Sequence, residues 1–270
     1  MMRWMMLFSA SVLLMAACGP TGGGDADAPN DDDSITRQSD TATKNQNATL
    51  ELVFSDNTYQ LTGVAKPMNG PLLVNYPRWS DVYRYAVVET SGDTAVKPYP
   101  DSTMNIWQPG QSGRNKWVCV QSVYVDDSGS VWVLDPAAPK LKNIQGGDAK
   151  LVKMNPQTRK PERTYSFNGV VPDTAYVNDV RIDGPRQFAY LTESKGGGLI
   201  VVDLKSGKMR RVLSTHYSVR SDPAFKFVID GQELMKEGKP VKIHSDGIAL
   251  TPDANWLYYK PLTDDKLYRI

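Results

Sequence analysis

One pattern of polar and apolar positions recurs four times along the chain: "LTGVAKPMNGPLLVNY" (61–76), "VQSVYVDDSGSVWVLD" (120–135), "VNDVRIDGPRQFAYLT" (177–192) and "HSDGIALTPDANWLYY" (244–259). Each runs polar residue, small or acidic residue, Val or Ile, any residue, then an apolar or basic one. A loop with Gly, Asp or Pro follows, and then a second apolar run. Aligned on Val64, Val123, Val180 and Ile248, the units are spaced by 59, 57 and 68 residues. The runs are short, rich in Val, Tyr and Leu, and bounded by turn residues, so each unit predicts two strands joined by a turn. A third strand is expected around Val87, Val152, Val201 and Tyr268, which follow the aligned residues by 23, 29, 21 and 20 positions. A fourth is expected at "AVKPYP" (95–100), "ERTYSF" (162–167) and "MRRVLS" (209–214), reached through the turns "SGD", "NPQTRK" and "KSGK". No window beyond the N-terminus has the 3.6-residue period of an amphipathic helix.

Four antiparallel strands in a unit of roughly 60 residues predict an all-β chain, a β-propeller with one blade per unit. A sandwich gives no internal copy at this period, and a solenoid uses shorter units. Three units are complete, and the fourth runs to its third strand at "DDKLYRI". "LELVFSDN" (50–57) is expected to be an additional N-terminal strand of the kind that completes a last blade. Taken together, the units read as the first two-thirds of a six-bladed propeller, with about four blades present.

The opening "MMRWMMLFSASVLLMAAC" carries one basic residue, an apolar stretch shorter than the ~20 residues that span a bilayer, and small residues before a cysteine. It predicts a signal peptide over residues 1–18. "MAAC" is similar to a bacterial lipobox, with Met15 where Leu is usual, which makes Cys18 the expected site of lipidation; an ordinary signal peptide with an incidental cysteine is the alternative. The chain is then exported and held at the membrane by its N-terminal lipid alone. Gly19, rather than Asp, next to that cysteine favours the outer membrane in a Gram-negative host. Residues 19–49 carry six Asp against Arg37 and Lys44 and no aromatic, a composition that cannot bury enough surface to order itself. They read as an acidic tether of about 30 Å, ahead of a propeller domain over 50–270.

The net charge of +1 hides this acidic tether beside a body with 28 basic and 24 acidic residues, and nothing in it points to nucleic acid. Cys119 has no partner if Cys18 is lipidated, and its β-branched surroundings read as a buried apolar site. No nucleophile elbow, metalloprotease helix, dinucleotide loop or phosphate loop is present. His216 and His244 are the only histidines.

The candidate chemistry therefore lies in the repeat. Two positions before each aligned residue stand Thr62, Gln121, Asn178 and Asp246, and one position before stand Gly63, Ser122, Asp179 and Gly247. Inner strands of a propeller line its axial channel, so these positions are expected at one level around the axis. The first column consists entirely of side-chain oxygens, which suits a divalent cation such as Ca²⁺ or the polar groups of a small-molecule ligand. Inner-strand starts also need polar residues to satisfy channel backbone, and that alternative stands beside the first. His244 sits two residues before Asp246 and joins the candidates. In "NYPRW" (75–79), Arg78 and Trp79 are expected either to present a cation–π and stacking surface or to pack between blades. Trp107, Trp117, Trp132 and Trp256 are expected in inter-blade core.

The stretches "VNYPRW" (74–79), "WVCVQSVYVDDSGSVWVLD" (117–135), "YVNDVRID" (176–183), "LIVVDLKSGKMRRVL" (199–213) and "SDGIALTPDANWLYYKPLTDDKLYRI" (245–270) resemble the major royal jelly/yellow protein family in order. That resemblance implies a secreted six-bladed propeller and, for function, dopachrome conversion of the isomerase kind or the binding of biogenic amines. With such chemistry Asp246 or Asp179 is the expected base, with Asn178 or a bound cation polarising a carbonyl. Asn178 and Asp246 also match the "ND" and "DG" metal-ligand positions of gluconolactonase-like propellers, where Thr62 departs from a glutamate. That implies a metal-dependent lactonase as the alternative activity. A non-enzymatic surface scaffold is the third reading.

Overall fold

The computed structural model describes residues 50–270, of which Leu52–Ile270 form one compact unit; the expected signal peptide, Cys18 and the acidic tether lie outside the described residues. The first repeat folds as β1 (Gly63–Ala65), β2 (Leu73–Asn75), β3 (Val87–Ser91) and β4 (Ala95–Pro98), a four-stranded antiparallel sheet in chain order. After a single helical turn, α1 (Ser102–Asn105), the second repeat gives β5 (Ser122–Val125), β6 (Val131–Asp135), β7 (Lys150–Met154) and β8 (Pro161–Ser166). The third gives β9 (Val177–Asp183), β10 (Phe188–Glu193), β11 (Leu199–Asp203) and β12 (Met209–Val212).

Two small hairpins follow, β13 (Val228–Ile229) with β14 (Gln232–Glu233), and β15 (Met235–Lys236) with β16 (Lys239–Pro240). Their turns, Asp230–Gly231 and Glu237–Gly238, have φ of 50° and 76° and of 52° and 76°. Positive φ at both central residues matches the right-handed twist of a two-residue hairpin. The Lys242 ammonium staples the base of this insertion by donating to the carbonyls of Asp222, Pro223 and Phe225. The insertion accounts for the longer third spacing. The last repeat then supplies β17 (Ser245–Leu250), β18 (Leu257–Pro261) and β19 (Tyr268–Arg269).

The register confirms the repeat row by row. Val64, Val123, Val180 and Ile248 face Val74, Val133, Leu191 and Tyr259 on the second strands. Third strands add Val88, Val152, Ile200 and Tyr268 to those rows, so the expected Val87 and Val201 sit one residue from the row. Strand β6, "VWVLD", is buried throughout because neighbouring blades cover both its faces, whereas outer strand β8 exposes all but Tyr165. Val123, Val133 and Val152 pack against Leu73 and Val87 between blades 1 and 2. Val180, Leu191 and Ile200 pack against Trp132 and Leu151 between blades 2 and 3, and Ile248 and Tyr259 pack on Leu199 between blades 3 and 4.

Two expectations are corrected here. "LELVFSDN" is not a strand. Its backbone meets the β3–β4 turn through one bond, Ser55 N–H to the Asp93 carbonyl at 2.8 Å, and a turn offers no edge for a ladder. Phe54 instead packs its side chain on the free face of blade 1. Trp107, Trp117 and Trp132 are core residues as expected, but Trp256 is 43% exposed. The Arg269 guanidinium covers it at 4.1 Å from the ring centre.

Candidate functional site

The inner strands of blades 3 and 4 begin with the same irregularity. In blade 4, Ser245 faces Pro261 and Gly247 faces Lys260, which leaves Asp246 as an extra residue. In blade 3, Val177 faces Glu193 and Val180 faces Leu191, so Asn178 and Asp179 together stand opposite Thr192. Two residues against one is a β-bulge, which bends the strand and re-aims its side chains. In blades 1 and 2 the register is regular, Gly63 facing Asn75 and Ser122 facing Leu134, and the N–H groups of Thr62 and Gln121, just ahead of each strand, donate to the carbonyls of those same two partners. In blades 3 and 4 the polar columns seen in the sequence are these bulges, and in blades 1 and 2 they mark regular strand starts.

The column side chains do different work in different blades. Thr62 Oγ1 donates to the Gln121 carbonyl at 3.1 Å and accepts from Asn75 Nδ2 at 3.0 Å, so it staples blade 1 to blade 2. Gly63 has no room for a side chain, since an added Cβ would lie 2.2 Å from Asn75 Oδ1. Gln121 Oε1 accepts from Tyr176 OH at 2.6 Å, and that hydroxyl accepts from Trp79 Nε1 at 2.8 Å. Trp79 is therefore tied to the column through Tyr176. Arg78 is taken up in packing: it donates to the Trp107 carbonyl at 2.8 Å, and its guanidinium lies 4.7 Å from the Tyr83 ring centre and 5.3 Å from that of Trp107.

Blades 3 and 4 bring the remaining candidates together. Ser122 Oγ donates to Asp179 Oδ1 at 2.8 Å, the Val180 N–H donates to the same oxygen, and Arg181 Nη1 donates to Asp179 Oδ2 at 2.9 Å. Asn178 hydrogen-bonds the Asp246 carboxyl, and Thr192 Oγ1 donates to the Asp246 backbone carbonyl at 2.8 Å. Burial, and then the charge of Asp179, push Asp246 up from 3.8 to about 6, against the opposing pull of Asn178 and Lys260. A raised folded-state value means that the stability linked to Asp246 is full at low pH and is lost as pH rises towards 6.

His244 stands apart as a neutral donor. Its Nδ1 accepts from the Ser221 N–H at 2.9 Å, which leaves the proton on Nε2, and burial followed by Arg220 holds its pKa below the usual range. Cys119 is wholly buried and its thiol is pushed up to about 12, chiefly by burial, so it is unreactive at neutral pH.

The donors do not fit a resident Ca²⁺. That ion takes about six to eight oxygens. Among the described residues no three His, Cys, Asp or Glu side chains cluster for a metal, and both Asp179 oxygens are engaged by donors. Arg181, Thr192, Lys260 and Tyr176 were not among the residues expected from the repeat. Thr192 and Lys260 would have emerged from carrying the alignment on to the second strands, where Asn75, Leu134, Thr192 and Lys260 share a row.

Four antiparallel sheets packed in series, with polar residues at the start of each inner strand, define a β-propeller. The sequence profile of the major royal jelly protein family matches residues 118–270, more than half of the chain, and the chain belongs to that family. It is 27% identical over 191 residues to major royal jelly protein 3 of Apis mellifera, covering 66% of this chain and 32% of that protein. Against major royal jelly protein 7 of the same bee it is 26% identical over 229 residues, covering 73% and 48%. The chain thus spans a third to a half of the length of these relatives. Among solved structures, a streptogramin B lyase is similar with a TM-score of 0.40 at 10% identity, covering 82% of this chain and 68% of that one. A gluconolactonase of Xanthomonas campestris gives a TM-score of 0.25 at 11% identity, covering 80% and 87%.

Proposed function

We propose that the chain is an exported, lipid-anchored propeller of the yellow type that binds a small polar or aromatic ligand at the mouth of its channel, between blades 3 and 4. The observation that carries this reading is the meeting of Asn178, Asp179 and Asp246, from two adjacent inner-strand bulges, in a setting that lifts Asp246 to about 6. Carboxylates perturbed by burial together with a specific charged neighbour cluster at functional sites. The anchoring part rests on the "MAAC" stretch, and mass spectrometry of the mature N-terminus tests it: a lipid-modified Cys18 is expected, and an unmodified terminus elsewhere contradicts it.

A carboxylate titrating near neutrality is suited to moving a proton on and off carbon next to a carbonyl, the step that a dopachrome-type tautomerisation requires. Asp246 accepts the proton as the C–H electron pair moves into the carbonyl system, and it returns the proton at the new position. Asn178 holds the carboxylate, while Asp179 keeps it basic enough to act.

Calorimetry with dopamine, paired with the optical decay of dopachrome, tests the reading. Wild type is expected to bind saturably. Asp246→Asn is expected to weaken binding by roughly tenfold, because a hydrogen bond to a charged group contributes about 1–2 kcal/mol more than one to a neutral group and ~1.4 kcal/mol is one decade. The same variant is expected to abolish any turnover. Equal affinity in the two proteins, or no saturable binding to wild type, would remove the site from the account.

A further inference from the structure

Asp179 and Asp246 are two acidic side chains that adjacent blades bring within electrostatic reach of each other, an arrangement that favours a nearby cation. Here the chain carries its own. Arg181 lies two residues along β9 from Asp179, on the same face of the strand, and curls back so that Nη1 meets Asp179 Oδ2 at 2.9 Å. The same nitrogen donates to the Val180 carbonyl at 2.6 Å, and the guanidinium rests on the Tyr124 ring of blade 2, 5.4 Å from its centre. Three contacts from two blades hold it in place, with the ion pair about three-quarters buried: the side chains are 25% and 26% exposed. A planar guanidinium fixed in this way is a permanent positive charge, since it cannot lose its proton.

We propose that Arg181 supplies the positive charge that this pair of carboxylates would otherwise draw from a divalent cation, and so sets the selectivity of the site for organic ligands over metal ions. The organic half of that statement rests on the function proposed above; the metal half does not. Asp179 Oδ1 is already engaged by Ser122 Oγ and the Val180 N–H, and Oδ2 by Arg181, so a metal would have to displace the guanidinium to reach it. Lys260 adds a second positive charge close enough to be felt by Asp246. A cation entering beside Asp246 therefore meets Asp179, Asn178, Arg181 and Lys260, and the two basic side chains offset the two acids. With Arg181 replaced by a neutral side chain the balance tips to net negative, and Asp179 Oδ2 is held by a neutral donor at most.

The test uses the full chain without any organic ligand. Ca²⁺ is titrated by calorimetry and Tb³⁺ by luminescence, for which Tyr124 beside the site is a natural sensitiser. Wild type is expected to show no saturable Ca²⁺ binding at this site. Arg181→Gln, which keeps a donor for Asp179 but removes the charge, is expected to gain one saturable site at least tenfold tighter than any wild-type signal. Adding Asp246→Asn to that variant should abolish the gain, and Arg181→Lys should behave as wild type. Near-UV circular dichroism establishes that each variant is folded. If Arg181→Gln does not fold, carboxyl NMR of wild type decides instead: Asp179 and Asp246 signals unmoved by Ca²⁺ support the proposal, and signals that shift saturably overturn it. A folded Arg181→Gln without any gain overturns it too, as does stoichiometric Ca²⁺ on wild type that Asp246→Asn removes. Failure of dopamine to bind in the earlier experiment would leave these metal results unchanged, so the two readings fail separately.

Discussion

Asp135→Ala should cost about 3–5 kcal/mol of stability, since removing one partner of a buried ion pair leaves the other charge uncompensated. Asp135 is fully buried at the end of β6, and Lys150, at the start of β7, is 3% exposed; their side chains meet at 3.1 Å. The carboxylate also accepts the N–H groups of Val118, Cys119 and Ala137 at 2.8, 2.9 and 2.9 Å, which pins the incoming inner strand of blade 2. Alanine would strand three buried donors and an ammonium, although Lys150 keeps the carbonyls of Gly113, Lys116 and Asp148. Glu193 does the same for blade 3, accepting from Tyr176, Lys195 and Gly196 N–H and from Arg211. The control is the outer-strand pair Lys153–Glu162, 32% and 38% exposed, where removal should cost under about 1 kcal/mol. Urea unfolding of the three proteins measures both. A loss below 1 kcal/mol at Asp135 would mean that the carboxylate does not hold the blade.

Trp117→Ala should be comparably damaging, at about 3–5 kcal/mol for a large aromatic removed from a packed core. The ring is fully buried between blades 1 and 2, against Leu73, Val87, Val133 and Val152. Its Nε1 donates to the Tyr99 carbonyl at 3.1 Å, and Lys150 Nζ lies 5.9 Å from the ring centre. Truncation would open a cavity, leave that carbonyl with only its bond from Asn105 Nδ2, and strip the apolar wall from the ion pair. Trp117→Phe keeps most of the volume and should lose much less. If the two variants melt together, packing at this seam is not what the substitution removes.

The strand rows were legible because a strand buried on both faces admits little but Val, Ile, Leu and aromatics, and because the same demand returns once per blade. Val123, Val180 and Ile248 fall in one buried row for that reason, whereas Val64 keeps the row but is 63% exposed. The bulges were legible only as columns of polar residues. Nothing local separates Thr62, spent on an inter-blade staple, from Asp246, brought against a second carboxylate, since the difference lies in what the next blade presents. Residues 50–57 and Trp256 were misjudged for a related reason: apolar composition reports a preference for burial, not the presence of a partner. Arg181 was hidden by its position. A basic residue two places after an acid on a strand is ordinarily a solvated neighbour, and only the fold shows it turned back onto Asp179 and Tyr124.

The account turns on Asp179 lying close enough to a buried Asp246 to govern that residue's charge. Carboxyl-detected NMR titration of Asp246, in wild type and in Asp179→Asn, measures that directly. The account predicts a midpoint near 6 in wild type and a lower one in the variant, because removing the Asp179 charge takes away the second-largest cause of the upward shift. A wild-type midpoint at the ordinary 3.8, unmoved by Asp179→Asn, would contradict it.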